Sequence, residues 1–197
     1  MLILGLTGSI GMGKSTAAAM LRAAGIPVYD ADRTVHRLLG QKGKAVAAVE
    51  AAFPGTRVQT AIDRRELGAR VFGDPQSLKR LERILHPLVR RDEEAFLRRM
   101  RARRARLVVL DVPLLFEKGG ADRCDKVLVV SAPAFLQRAR VLARPGMKAA
   151  RFREILAQQM PDAQKRRRAD FVVSSGLGRA HTNRALRRIV KGLVSHS

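Results

Sequence analysis

Residues 8–16 decide the fold of this 197-residue chain, and they read Gly8-Ser9-Ile10-Gly11-Met12-Gly13-Lys14-Ser15-Thr16. The first eight match the phosphate-binding pattern G-x-x-x-x-G-K-[ST] in full. An apolar run at residues 2–6 precedes them and a helix-forming run at 17–22 follows, so the loop joins a strand to a helix. An ordinary glycine-rich turn would not need Lys14 and Ser15 at these offsets. The stretch therefore predicts a site for nucleotide phosphates.

The chemistry of such a loop requires these residue types. Glycines let consecutive backbone N–H groups turn inward around phosphate oxygens, and the following helix presents its positive end to the same anion. Lys14 is expected to bridge the β- and γ-phosphates of the nucleotide, and the Ser15 hydroxyl to ligate Mg²⁺. The expected nucleotide-binding residues of the loop are Gly8, Ser9, Ile10, Gly11, Met12, Gly13, Lys14, Ser15 and Thr16.

Short apolar runs alternate with longer helical stretches along the chain, which is typical of a parallel α/β sheet. Each run is continuously apolar, as expected for strands covered on both faces. The candidate strands are residues 2–6, 27–29, 107–110, 126–130 and 171–173. The predicted fold class is α/β, a P-loop NTPase-type three-layer α/β/α fold with a parallel sheet.

Nearly 80 residues without an obvious strand separate the second and third candidate strands. Apolar positions with helical spacing occur there at 35–39, 45–53, 65–72 and 78–85. We therefore predict one unit, 1–197, with a nucleotide-binding core at 1–32 and 105–197 and a helical substrate-binding insertion at about 33–104. The basic stretch at about 136–168 is expected to form a lid, and 179–194 an amphipathic helix.

Two acids follow the second candidate strand, in Asp30-Ala31-Asp32. Residues just past the carboxyl ends of parallel strands face the ligand crevice. An Asp there is suited to accept the proton of an attacking hydroxyl, and equally suited to cap the next helix. Two acids in three residues allow both roles.

Further candidates lie beyond the third strand. Asp111 ends that strand, where it would hold a magnesium-bound water or simply stabilise the turn before Pro113. Arg140, Arg144 and Lys148 are spaced by four, so they would share one helical face, as lid cations over the triphosphate or as a solvated face. Pro145-Gly146 predicts a break suited to a hinge.

Composition narrows the functional classes. Hydrophobic residues make up 46% of the chain, enough for a sizeable core. There is no run of about 18 apolar residues, so no membrane span is predicted. The N-terminus lacks a secretory signal pattern, and the single cysteine, Cys124, fits a reducing cytoplasm. The histidines are scattered, so no zinc cluster is predicted.

The formal net charge of +22 would attract polyanions. Basic segments at 98–106, 165–168 and 184–191 are read either as solvated helix faces or as a nucleic-acid footprint. Aromatic residues are only 4%, with no Trp and one Tyr, so a base-stacking platform is missing. We expect weak charge-driven binding and no specific nucleic-acid partner.

The motifs of two large P-loop classes are missing from the chain. There is no Asn-Lys-x-Asp sequence of the kind that reads the base in a GTPase. The strand ending at Asp111 has no second acid, unlike the strand of a motor ATPase. A compact small-molecule kinase remains, with a nucleic-acid-binding ATPase as the rival interpretation.

Beyond the loop, further blocks follow one another in order: Gly25-Ile26-Pro27-Val28, Asp30-Ala31-Asp32, Arg64, His86-Pro87, Asp111-Val112-Pro113-Leu114-Leu115-Phe116-Glu117, Gln137, Arg140, Ala157-Gln158-Gln159 and Ala169-Asp170-Phe171-Val172. Through these blocks the chain resembles the dephospho-coenzyme A kinase family, whose members phosphorylate the ribose 3′-hydroxyl of dephospho-CoA. The Asp-Ala-Asp, His-Pro and Val-Pro-Leu-Leu-Phe-Glu blocks are more specific than the loop. Met12, in place of a common Ser, and Ser174-Ser175, in place of an Asn near the base, depart from the family pattern.

The resemblance implies ATP as donor, Mg²⁺, and dephospho-CoA as the small-molecule partner. It implies Asp32 as general base beside Lys14 in catalysis, and Arg140 and Arg144 near the ATP phosphates. The implied substrate-binding residues are Asp32, Arg64, His86, Pro87, Leu114, Leu115, Phe116 and Glu117. We expect a cytoplasmic monomer or weak homo-oligomer. The alternative is a P-loop kinase acting on another nucleotide-like acceptor.

Overall fold

A computed structural model describes residues 1–195; His196 and Ser197, the last residues of the predicted core segment, lie outside it. The strands are β1 (Leu2–Thr7), β2 (Val28–Asp30), β3 (Arg57–Val58), β4 (Ala61–Ile62), β5 (Leu107–Asp111), β6 (Lys126–Ser131) and β7 (Phe171–Ser174). The helices are α1 (Lys14–Ala23), α2 (Ala31–Leu39), α3 (Val46–Ala52), α4 (Arg64–Val71), α5 (Pro75–Ala102), α6 (Ala134–Leu142), α7 (Ala149–Ala157), α8 (Asp162–Arg168) and α9 (Arg179–Ser195).

The chain divides into two compact units. The first contains Met1–Tyr29 and the chain from Met100 onward, and the second contains Asp30–Arg99. No helix within the described residues is long and apolar enough to cross a membrane.

The first unit is built on a five-stranded sheet in the order β2-β5-β1-β6-β7. Strand β1 pairs in parallel with β5 and β6, and β6 pairs in parallel with β7. This confirms the predicted parallel α/β class. All five candidate strands are present, within one residue at either end.

Both faces of this sheet are covered, because alternate residues of β6 belong to different cores. Leu128 and Val130 pack with α1 and α9 through Leu21 and Leu186. Val127 and Val129 pack instead with Leu115 and Phe116 of the loop after β5. Successive side chains of a strand point to opposite faces, so the continuously apolar runs follow from this two-sided burial.

The second unit consists of helices α2, α3, α4 and most of α5 around its own apolar cluster, which includes Leu38, Val49, Phe53, Leu67 and Leu85. It also contains the small antiparallel pair β3–β4, which the sequence did not predict. Each of these strands has only two residues, and the turn contains Gln59 at φ 54° rather than glycine. Neither the alternation nor the turn residues that indicate a hairpin are therefore present.

Candidate active site

The phosphate loop runs from the end of β1 to the start of α1 and needs its glycines. Gly11 and Gly13 have φ angles of 78° and 91°, in the region that side chains disfavour. A Cβ atom on Gly8 would lie 2.6 Å from the carbonyl oxygen of Val130. Met12 is buried, and its sulfur accepts a hydrogen bond from the Ala132 N–H at 3.1 Å. Met12, which stands in place of a common Ser, therefore anchors the loop to the end of β6.

Lys14 faces an acid from the neighbouring strand. Its Nζ lies 2.6 Å from Oδ1 of Asp111, and the two side chains are only 15% and 4% exposed. Strands β1 and β5 are paired so that Leu6 lies beside Asp111, which brings both strand ends to the same edge. Lys14 is thus held by a carboxylate where the phosphate loop meets α1, and its predicted contact with phosphate stays a prediction.

Ser15 and Asp111 supply the kind of donors that Mg²⁺ requires. The exposed Ser15 hydroxyl lies in the first turn of α1, and the Asp111 carboxylate lies at the end of β5. Magnesium prefers oxygen ligands, and usually takes one or two from the protein beside water and phosphate oxygens. Residues 1–195 contain no group of three or more His, Cys, Asp or Glu side chains arranged to hold a metal. A hydroxyl and a carboxylate fit this mode of binding.

Ser175 joins Arg140 to the phosphate loop. The Ser175 hydroxyl donates to the carbonyl of Met12 at 2.7 Å and accepts from Nη1 of Arg140 at 2.8 Å. Nη2 of Arg140 donates to the Ser175 carbonyl at 2.9 Å. The guanidinium therefore lies beside the loop, and its predicted contact with ATP stays a prediction.

The shared helical face predicted for Arg140, Arg144 and Lys148 is wrong. Helix α6 ends at Leu142 and α7 begins at Ala149, so only Arg140 is helical. Gly146 has a φ of 72°, which confirms the predicted break at Pro145-Gly146. Arg144 and Lys148 lie exposed on the connection, and the predicted ATP contact of Arg144 remains a prediction.

The loop after β5 carries four predicted substrate residues, but two of their side chains are part of the core. Leu115 and Phe116 are 0% and 8% exposed. A role for this loop in binding the acceptor therefore depends on its backbone, on half-buried Leu114 and on Glu117. The hydroxyl of Thr7, at the end of β1, donates to the Pro113 carbonyl at 2.9 Å and fixes the start of the loop.

Glu117 is held by an ion pair inside the first unit. Its Oε1 lies 2.8 Å from Nζ of Lys165, a side chain with 0% exposure, and accepts from the Met160 N–H at 2.8 Å. Burial by itself would raise the pKa of the Glu117 carboxyl. The ion pair with Lys165 and the hydrogen bond from the Met160 N–H outweigh burial and hold that pKa below its ordinary value.

In the second unit, the two acids of Asp30-Ala31-Asp32 have different positions. Asp30 caps α2, because its Oδ1 accepts from the Arg33 N–H at 3.0 Å. Asp32 lies exposed in the first turn of the same helix. The capping role thus belongs to Asp30, which leaves Asp32 as the candidate base.

The other predicted substrate residues of the second unit lie on helices. Arg64 begins α4, and its Nη1 lies 2.6 Å from Nε2 of His36. His86 and Pro87 are exposed within α5. The pairing of Arg64 with His36 was not predicted, since the two residues are 28 positions apart.

Gln137 and Gln159 also contact the phosphate loop, and the sequence does not indicate it. Gln137 donates to the Ile10 carbonyl and Gln159 accepts from the Ile10 N–H, from 127 and 149 positions away. Both glutamines lie in blocks that the family resemblance covers, but a position within a block does not reveal a contact. Only the fold brings them to the loop.

The family model described as dephospho-CoA kinase matches residues 2–178. The chain belongs to that family. A protein of Paramagnetospirillum magneticum named dephospho-CoA kinase is 69% identical over 84% of this chain and 78% of its own length. One of Rhodospirillum rubrum with the same name is 63% identical over 94% of this chain and 89% of its own.

A solved structure is similar to this dephospho-CoA kinase family member over nearly its whole length. The crystal structure of TT1252 from Thermus thermophilus superposes with a TM-score of 0.83 at 39% identity, covering 97% of this chain and 96% of that one. The resemblance to dephospho-CoA kinases inferred from the ordered blocks is confirmed.

Proposed function

We propose that this protein transfers the γ-phosphoryl group of ATP to the ribose 3′-hydroxyl of dephospho-CoA, which yields CoA and ADP. The observation that carries the proposal is the phosphate loop at the end of β1, with Lys14 opposite Asp111, in a member of this family. The loop accounts for a nucleotide donor, and the family accounts for the acceptor.

Residues of the first unit hold the donor. Backbone N–H groups of residues 9–15 and the N-terminus of α1 bind the phosphates, while Lys14 exchanges Asp111 for the β- and γ-phosphates. The N–H groups of Ile10 and Met12 are bonded within the protein and are not among them. Arg140 and Arg144 stabilise the negative charge that spreads over the transferred group. Mg²⁺, when held through Ser15 and Asp111, neutralises charge on the phosphate oxygens.

Asp32 serves as the general base. The ribose 3′-oxygen forms a bond to the γ-phosphorus while the bond from that phosphorus to the β–γ bridging oxygen breaks. The proton of the 3′-hydroxyl passes to the Asp32 carboxylate, and the electron pair stays on ADP. Positioning and electrostatic stabilisation provide most of the rate enhancement in such a transfer.

The acceptor is bound by the remaining predicted residues: Arg64, His86, Pro87, Leu114, Leu115, Phe116 and Glu117, the loop residues partly through their backbone. Residues 33–104 form the CoA-binding part, and about 136–168 act as a lid over ATP that limits hydrolysis by excluding water. A cytoplasmic location and a monomeric or weakly self-associating state are part of the same proposal.

The deciding experiment is phosphoryl transfer from ATP·Mg²⁺ to dephospho-CoA at moderate salt, with CoA detected by mass. Rapid formation of CoA supports the proposal. If ATP binds and no CoA forms, the proposed acceptor is wrong, and a screen of other hydroxyl acceptors should then identify the substrate.

Replacing Asp32 by Asn tests the base with little change in volume. We expect kcat to fall by about two orders of magnitude or more, because the amide does not accept the proton. ATP binding, measured by calorimetry, should change little. A turnover within a few-fold of the unmodified enzyme would show that another group is the base.

A further inference from the structure

Both backbone polar groups of Ile10, inside the phosphate loop, are bonded to side-chain amides. Nε2 of Gln137 donates to the Ile10 carbonyl at 2.8 Å. The Ile10 N–H donates to Oε1 of Gln159 at 3.0 Å. Gln137 lies on α6, and Gln159 lies between α7 and α8, so both come from the predicted lid stretch.

These two bonds are made where the loop has no regular structure of its own. Ile10 lies between β1 and α1, so it takes part in neither the sheet ladder nor the hydrogen bonds of the helix. A backbone N–H or carbonyl withdrawn from water needs a partner. Here the two glutamines supply the partners that secondary structure supplies elsewhere.

Helix α6 is also packed tightly against the next residue of the loop. A Cβ atom on Gly11 would lie 2.6 Å from Cγ2 of Val141 and 3.0 Å from the Gln137 carbonyl oxygen. Gln137 itself is only 7% exposed. The loop therefore has little room to shift without α6, and Gln137 has little freedom to leave it.

We propose that Gln137 and Gln159 are positioning residues that hold the phosphate loop in its binding shape through the two backbone groups of Ile10. Neither glutamine is among the residues proposed above to bind ATP or dephospho-CoA; both act on the loop that binds the nucleotide phosphates. The inference rests on the proposed use of this loop for ATP, and it assigns the lid stretch a role in shaping the site as well as covering it.

The two glutamines have opposite hydrogen-bonding roles, one as donor and the other as acceptor. The Ile10 carbonyl only accepts, so Gln137 must be a donor there, and the Ile10 N–H only donates, so Gln159 must be an acceptor. One substitution therefore separates the two roles. Gln159→Glu keeps an acceptor for the N–H, whereas Gln137→Glu replaces a donor with a carboxylate that faces a carbonyl oxygen.

The test measures ADP·Mg²⁺ binding by calorimetry for Gln137→Glu, Gln159→Glu and Gln159→Leu. Gln158→Glu and Gln158→Leu are the matched controls, since Gln158 is the exposed neighbour of Gln159 and its Glu variant adds the same charge nearby. Thermal unfolding of each unliganded variant is measured in parallel, because a purely structural role would lower its midpoint without a selective effect on the nucleotide.

We expect Gln137→Glu and Gln159→Leu to weaken ADP binding at least about tenfold relative to the matched Gln158 variant. Gln159→Glu should bind within about threefold of Gln158→Glu. In the transfer assay, Gln137→Glu and Gln159→Leu should raise the KM for ATP more than the KM for dephospho-CoA. If Gln137→Glu does not fold, Gln137→Met, which also removes the donor, takes its place.

The inference is overturned if Gln159→Leu and Gln158→Leu have the same affinity for ADP. It is also overturned if Gln137→Glu and Gln159→Glu have the same affinity for ADP. Failure of the proposed reaction would look different. It would leave the unmodified enzyme without CoA formation, while the order of ADP affinities among the variants would still be measurable.

Discussion

Lys14 is paired with the Asp111 carboxylate and is expected to bind the nucleotide phosphates in its place. Its Nζ contacts Asp111 at 2.6 Å, and the Asp111 side chain is 4% exposed. Replacing Lys14 by Ala removes the cation that meets the phosphates and also leaves Asp111 without this partner. We expect kcat/KM for ATP to fall by a factor of about 10² or more, with lower stability.

Steady-state kinetics and urea unfolding measure the two effects of Lys14→Ala separately. Lys44→Ala is the control, because it removes an exposed lysine from the second unit and so changes the net charge equally. Full activity of Lys14→Ala would contradict the role given to the phosphate loop.

The loop after β5 is tied to α8 by Glu117 and Lys165, which predicts a dependence of stability on pH. The folded-state pKa of Glu117 is lowered from the ordinary 4.5, so the folded protein binds its proton less readily than the unfolded chain. The contribution of this carboxylate is therefore complete above about pH 4.5 and is lost as the pH falls through the lowered pKa. Stability should decline with acidification in that window.

Urea unfolding of Glu117→Gln between about pH 3 and 7 checks this prediction. The variant should be less stable than the unmodified protein by about 3 kcal/mol at pH 7, as when a buried ion pair loses one partner. The difference should shrink in acid, where the native carboxyl is itself protonated. Glu154→Gln, at an exposed position of α7, is the control, and its stability relative to the unmodified protein should not change with pH in this way. If the stability difference between Glu117→Gln and the unmodified protein stays constant across the range, the assignment is wrong.

Local pattern predicted the sheet well because its cause is local. Strands covered on both faces must be apolar at every position, so the runs that became β1, β5 and β6 stand out from their surroundings. The glycine-rich loop is equally local, because its φ angles and close approaches demand glycine at particular residues. Consequently fold class, phosphate loop and strand ends were predictable from the sequence.

Contacts made across the fold were not predictable in this way. Gln137 and Gln159 contact Ile10, and Ser175 contacts Met12 from 163 positions away. Glutamine and serine also occur on exposed surfaces, so the residue type alone does not indicate such a contact. The spacing of Arg140, Arg144 and Lys148 suggested one helix, whereas the chain breaks at Pro145-Gly146. Periodicity describes a helix only where the helix continues, and it contains no information on the partners of a side chain.

The whole molecule carries a formal charge of +22, which would attract polyanions. We expect a single-stranded DNA oligomer to bind through its phosphates alone, because aromatic residues are 4% of the chain and Trp is absent. Fluorescence anisotropy should show affinity falling at least about tenfold between about 50 and 200 mM salt. An uncharged peptide nucleic acid of the same sequence, which keeps the bases and lacks the phosphates, should not bind.

ATP hydrolysis should be the same with and without the DNA, since the charge would attract polyanions without coupling them to the phosphate loop. Hydrolysis accelerated by DNA, or binding that persists at high salt, would instead favour a nucleic-acid-dependent ATPase.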